Sequence, residues 1–297
     1  MNAGTVESGG GSGAEARRIE LDWGSLAAIE FGDEGGQRLL CLHGWMDNAA
    51  SFLPLARSLP RHHWMMLDYA GHGRSDHRPE YAHYYFMDYV FDVDAALDAL
   101  GWDSCTLVGH SLGTAVAACA ACADPQRVER MVMLDGLGVV TEPEQQAAER
   151  LTRSLRSVRH PRDHRRVFDS VELAARARQL KNPMADTSAR LLAERALRPA
   201  DNGWRWRTDQ RAMLDSPYWY AEAHSSAIMR GLKCPVLVIY TPVLERYLGE
   251  RLETRLESLD DVTAHRLEGG HHLHMDQPEA MTATLDAFIN QEDLQHD

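Results

Sequence analysis

The chain of 297 residues has no apolar run that approaches the roughly 18 consecutive residues needed to cross a membrane. Nor does Met1 to Glu15 show a basic stretch followed by an apolar one, so no export signal is read there and a cytoplasmic location is expected, with no membrane partner. Positive charge is in deficit: 31 Lys and Arg stand against 44 Asp and Glu, a net charge of −13 with the 15 histidines neutral. Phosphate backbones are gripped by clustered cations, so nucleic acid is not expected as a partner. Cysteine is scarce and odd in number. The five (Cys41, Cys105, Cys119, Cys122 and Cys234) lie in apolar segments, which suits buried reduced thiols better than a disulfide framework. Cys119 and Cys122 sit in the Ala-rich run Ala115 to Ala123, where small core residues on a helix are expected rather than a zinc or redox pair.

What is present is an ordinary globular composition, 44% hydrophobic and 25% charged, long enough for a sizeable core. Residues 1–16, Gly- and Ser-rich from Ser8 to Gly13, are expected to form a disordered tail outside the fold. Short apolar runs then alternate with helical patterns. Strands are predicted at Arg38 to Leu42, Trp64 to Leu67, Cys105 to Val108, Arg130 to Leu134, Val236 to Tyr240 and Val262 to Leu267. Phe86, Tyr89, Val90, Val93, Leu97 and Leu100 recur at helical spacing, as do Met281, Leu285, Phe288 and Ile289 after Pro278. Strand and helix in alternation imply an α/β fold with a mostly parallel sheet flanked by helices. The rhythm breaks at 141–232, where Arg and Ala dominate, strand-like runs vanish and five prolines interrupt helical patterns. This segment is expected to be an inserted helical cap over a core made of 17–140 and 233–297.

The sharpest motif is Gly109-His110-Ser111-Leu112-Gly113, set directly between a strand and the Ala-rich helix. Glycines permit a tight strand-to-helix turn that lifts the Ser111 hydroxyl out of the sheet, while the helix N-terminus offers N–H groups to a developing oxyanion. A serine hydroxyl is a weak nucleophile, so such chemistry also needs a base and an acceptor to orient that base.

With this motif stand Leu42-His43-Gly44-Trp45 after the first core strand, Gly71-His72-Gly73-Arg74-Ser75-Asp76 after the second, Cys234-Pro235 before a late strand, and Gly269-Gly270-His271 near the end. Together they resemble the α/β-hydrolase superfamily from about Leu39 to Ala287, apart from the lid. The stretches LHGWMDNAASF, LDYAGHGRSDH, LVGHSLG, RWRTDQR and GGHHLHMDQPE are similar to its serine hydrolase-like branch, related to the capped epoxide hydrolases and haloalkane dehalogenases. The resemblance implies the α/β-hydrolase fold and places the catalytic base at His271. It implies backbone oxyanion donors at Trp45 and Leu112.

The acid departs from the common pattern. Most relatives carry Asp in the loop after the strand matching Val236 to Tyr240, and here that loop reads Thr241-Pro242-Val243-Leu244-Glu245. Some capped relatives take the acid from the end of the preceding strand, where Asp135 stands 24 residues after Ser111. Asp135 is therefore the expected acid, with Glu245 as the alternative. The neighbours His272 and His274 raise a metal reading, set aside because no carboxylate or cysteine is spaced to complete a ligand set; neither metal nor cofactor is expected. Asp47 and Asn48 are expected to brace their loop, and Asp68, Gly71, His72 and Arg74 to hold a supporting turn. Trp204, Trp206, Tyr218, Trp219 and Tyr220 supply aromatic surface to the lid, and Arg205, Arg207 and Arg211 read as an exposed arginine face rather than a grip on a substrate carboxylate.

The resulting expectation is a serine esterase that cleaves a small-molecule carboxylic ester through an acyl-serine. Ser111 attacks, His271 takes its proton and Asp135 orients the ring. Epoxide or haloalkane chemistry is disfavoured, because those relatives attack with a carboxylate. A thioester or carbon–carbon bond hydrolase and a non-catalytic small-molecule binder on the same scaffold are the rival readings. The sequence is silent on assembly, and a homodimer is compatible with it.

Overall fold

The computed structural model describes residues 13–161 and 166–291. Eight strands form one sheet: β1 (Glu15–Leu21), β2 (Gly24–Gly32), β3 (Arg38–Leu42), β4 (His63–Leu67), β5 (Cys105–His110), β6 (Val128–Leu134), and, after a long insertion, β9 (Val236–Tyr240) and β10 (Val262–Arg266). Their order is β1-β2-β4-β3-β5-β6-β9-β10. The β1–β2 and β2–β4 pairs are antiparallel, and from β4 to β10 every pair is parallel.

The continuous apolar runs follow from two-sided burial. Successive side chains of a strand point to opposite faces, so a strand covered on both sides has no polar position to spare. Leu40, Leu42, Met65, Leu67, Met131, Met133, Val236 and Val238 enter one core layer. Their neighbours Leu39, Cys41, Trp64, Met66, Val132, Leu134, Leu237 and Ile239 enter the other. The first layer is closed by α2 (Phe86–Leu100) and α3 (Leu112–Ala123), and the second by α1 (Leu53–Ser58) and the last helix, Glu279–Ile289. Cys119 is a buried core residue of α3, and Cys122 packs at its edge.

The insertion carries α4 (Ala147–Arg159), α5 (Val171–Gln179), α6 (Asp186–Ala196), a hairpin of β7 (Leu197–Ala200) and β8 (Gly203–Trp206), and α7 (Glu222–Gly231). Phe168, Ala174, Ala175, Ala189, Ala193 and Leu197 form a small core of its own, with Trp204 and Trp206 against it. Beyond α7 come α8 (Pro242–Leu248), α9 (Arg251–Leu256), α10 (Leu273–Asp276) and α11, the closing helix already given.

Several expectations need correcting. Two strands, β1 and β2, were not anticipated. β1 is an exposed edge whose only buried side chain is Ile19, so it lacks an apolar signature. It begins at Glu15, paired with Glu30, inside the stretch expected to be tail; residues 1–12 of that stretch lie outside the described residues. The insertion is not free of strands, since β7 and β8 pair there. Nor does all of 141–232 stand apart as lid, because Met229 of α7 and Leu232 beyond it are buried in the core layer.

Candidate active site

β5 runs through His110 and α3 starts at Leu112, leaving Ser111 alone at the turn with φ 51° and ψ −113°. That conformation is strained for a residue with a side chain, at a cost on the order of 1–3 kcal/mol, and the surroundings enforce it. Ser111 N–H donates to Leu134 O at 3.0 Å. Gly113 is required by contact: a Cβ there would lie 1.8 Å from Leu42 O. The chain therefore folds back so closely on β3 that only glycine fits, and the serine is pushed above the carboxyl ends of the strands, where ligands of such sheets sit.

Asp135 directly follows β6 in a left-handed conformation, φ 44°. Its Oδ2 lies 2.6 Å from His271 Nδ1, and its Oδ1 accepts from Thr241 N–H and Thr241 Oγ1, each at 2.8 Å. The carboxylate only accepts, so Nδ1 is the nitrogen that donates to it, and in the neutral ring Nε2 is then the one with a lone pair. The next residue, Gly136, packs on the elbow: a Cβ there would sit 3.0 Å from Ser111 Cα. Ser111, Asp135 and His271 are thus gathered at one end of the sheet. Among the described residues no hydrogen bond joins Ser111 Oγ to the His271 ring.

Thr241 opens the loop after β9, the loop in which the resemblance led to the expectation of an aspartate. β6 and β9 are paired in parallel, Leu134 beside Ile239, and neighbouring strands lie about 4.8 Å apart. An acid from either strand end therefore reaches the same imidazole, and here Thr241 supplies hydrogen bonds instead of charge. Glu245, the alternative acid, is turned elsewhere: it sits on α8, partly exposed, with Oε2 3.1 Å from Arg266 Nε.

The Trp45 loop is anchored by His43. Its Nε2 accepts from Tyr69 N–H at 3.1 Å, so Nδ1 bears the proton and donates to Gly44 O at 2.7 Å. Burial lowers the pKa of this ring, in keeping with its neutral tautomer. Trp45 is 53% exposed, with its indole N–H on Ala212 O. Among the described residues neither Trp45 N–H nor Leu112 N–H is spent on an acceptor. Asn48 braces the loop as expected, accepting from Ala50 N–H and donating to Leu192 O. Asp68 holds its turn through Ala49 N–H, Arg74 N–H and the Arg195 guanidinium. His72 Nδ1 lies 3.1 Å from Ala70 O.

One exclusion made from spacing fails. Folding brings a carboxylate to the histidines: Asp47 Oδ2 lies 3.2 Å from His272 Nε2 and 3.4 Å from His110 Nδ1, and these ligand-type atoms fall within 4.8 Å of one another. The donor set does not favour a cation, because the one carboxylate is already paired with the buried Arg178 guanidinium. Burial alone would raise the Asp47 carboxyl, but Arg178 and His272 outweigh it and hold it well below the usual carboxylate range. Burial pushes His110 down to about 4, and burial with His110 and His272 nearby pushes His274 well below its ordinary value.

The arginines are not an exposed face either. Arg211 donates to Asp209 and to the carbonyls of Arg78, Pro79 and Ala82, fastening the lid to the core. Arg207 Nε donates to Leu197 O. Trp219 lies under the Arg150 guanidinium, 3.6 Å from its ring centroid. Three residues at the site escaped the sequence reading. Thr241 had a signal, since it opens the loop that lacks the expected aspartate. His110 lies inside the elbow motif and its Nε2 donates to His271 O at 2.8 Å. Arg178 had none, being one arginine among many in the lid.

Residues 37–241 match the family described as alpha/beta hydrolase fold. A serine hydrolase-like protein of Danio rerio is 29% identical over 92% of this chain and 87% of its own length. A 2-(acetamidomethylene)succinate hydrolase of Mesorhizobium japonicum is 28% identical over 93% and 90%. The crystal structure of a hypothetical protein from Pseudomonas aeruginosa PAO1 is 37% identical, covers 93% of this chain and 99% of its own, and superposes with a TM-score of 0.86. With its eight-stranded sheet, its serine at the strand-to-helix turn and this match over most of its length, the chain is a hydrolase of the alpha/beta hydrolase fold family.

Proposed function

We propose that the chain is a serine esterase acting on a small-molecule carboxylic ester through an acyl-serine intermediate. One observation carries the reading: the 2.6 Å contact between His271 Nδ1 and Asp135, whose other oxygen is fixed by Thr241, beside a serine held at a strained turn. In this reading Asp135 keeps the imidazole in the tautomer that leaves Nε2 basic. His271 Nε2 removes the Ser111 proton as Oγ attacks the ester carbonyl. The oxyanion is received by Trp45 N–H and Leu112 N–H, each such donor contributing roughly 2.7–4 kcal/mol to the chemical step. His271 then protonates the leaving alcohol and activates the water that releases the acid.

The missing hydrogen bond between Ser111 and His271 favours a second reading, a binder on a retained hydrolase scaffold. That contact is commonly loose without substrate and tightens in the complex. A fluorophosphonate probe separates the two. The esterase labels at Ser111 and Ser111→Ala does not; folded protein that stays unlabelled overturns the esterase. A series of p-nitrophenyl esters beside acyl-thioesters fixes the bond class, and preference for thioesters would replace the ester assignment.

A further inference from the structure

The proposed oxyanion donor Trp45 N–H shares a planar peptide unit with Gly44 C=O, and in a trans peptide the two point in opposite directions. Whatever pins Gly44 O therefore aims Trp45 N–H. Two donors pin it: His43 Nδ1 at 2.7 Å and Asp47 N–H at 3.0 Å. The second closes a tight turn through Met46, which stands at φ 64°, a left-handed conformation that its side chain disfavours. Such a turn persists only where its surroundings hold it.

The restraint comes from the lid. Arg178, on α5, donates from Nη1 to Met46 O at 2.6 Å and from Nη2 to Asp47 Oδ1, gripping both residues of the strained turn with one planar fork. The arginine and the carboxylate are both buried, with side-chain exposures of 9% and 2%. The other oxygen of Asp47 faces His272 and His110, and His110 Nε2 donates to His271 O. One buried carboxylate thus touches the oxyanion loop, the elbow and the loop of the base, and its full positive partner is supplied by the lid.

We propose that Arg178 is a positioning residue for the hydrolysis: reaching from lid helix α5 to Met46 O and Asp47, it holds the turn that aims Trp45 N–H at the oxyanion, so that a docked lid is a condition of turnover. The proposal rests on the serine-hydrolase reading above. An interaction felt only as charge develops on the carbonyl oxygen lowers kcat and leaves substrate binding nearly unchanged.

The test is steady-state kinetics on an ester that wild type turns over, for Arg178→Gln, Arg178→Lys and Ser111→Ala, with the folded fraction of each read by circular dichroism. Arg178→Gln is expected to lose at least tenfold in kcat per folded molecule, with KM within threefold. The acidic inflection of kcat/KM against pH should stay in place, because the His271–Asp135 pair is untouched. Arg178→Lys keeps the charge toward Asp47 but not the fork, and is expected to fall between Arg178→Gln and wild type. Should Arg178→Gln not fold, Arg178→Lys decides by the same split. Wild-type kcat in the folded variants, or a loss confined to KM, overturns the proposal. If Ser111→Ala retains turnover, the serine-hydrolase reading itself falls; if it is dead while Arg178→Gln matches wild type, only the role of Arg178 is refuted.

Discussion

Asp135 Oδ1 is filled by Thr241, so its only remaining strong acceptor is the Oδ2 lone pair that meets His271 Nδ1–H. Asn at this position would offer an amide N–H to that nitrogen, forcing the proton to Nε2 and removing the base. Asp135→Asn is expected to lower kcat by roughly three to four orders of magnitude with the thermal midpoint nearly unchanged. Glu245→Gln, which only loses a partly exposed pair with Arg266, is expected to stay within about twofold of wild type. The reverse pattern in steady-state assays would move the acid to Glu245. The resemblance to capped relatives is what singled out Asp135 in the sequence, while its contact with His271 and its hydrogen bonds from Thr241 exist only after folding.

The elbow is where β5, α3 and β3 crowd together, and its geometry depends on Gly113 lying against Leu42 O. Gly113→Ala puts a methyl where backbone already stands, so either the turn opens or the strand shifts. The expected result is a loss of several kcal/mol in urea unfolding together with loss of fluorophosphonate labelling, whereas Ser111→Ala loses the label and keeps its stability. A Gly113→Ala protein as stable and reactive as wild type would show that the close approach is not what shapes the elbow. At this scale the sequence was readable where an element carries its own signal. The parallel strands show unbroken apolar runs because both faces are covered, and α2 shows its periodicity because one face is buried. β1, with only Ile19 buried, and β7–β8, whose exposure alternates little, carry no such pattern and are recognised only by their partners.

Taken as a whole, the molecule buries several histidines, and two of them, His72 and His110, are pushed by burial from 6.5 to about 4. A folded-state value below the unfolded one means that the unfolded chain takes up protons first as pH falls. Stability is therefore full above pH 6.5 and lost progressively toward pH 4, by about 3 kcal/mol for each ring at the lower end. Asp47, held low in the fold, adds its own loss only at still lower pH. Urea unfolding between pH 7 and pH 4.5 should show the slope and His72→Gln should flatten it; a stability flat over that range would mean these rings are protonated in the fold. The same histidines mark the boundary between what sequence and structure each decide. Strand runs, the serine at its turn and a late histidine are local, each written within a dozen residues, so the sequence alone determined the parallel part of the α/β core and the place of Ser111 at its turn. The meeting of His271 with Asp135, 136 residues away, and of Asp47 with His110, His272 and Arg178, depends on strand order and on how the lid docks. Only the tertiary structure decides those pairings, because a carboxylate in sequence carries no mark of which buried cation or ring will neutralise it.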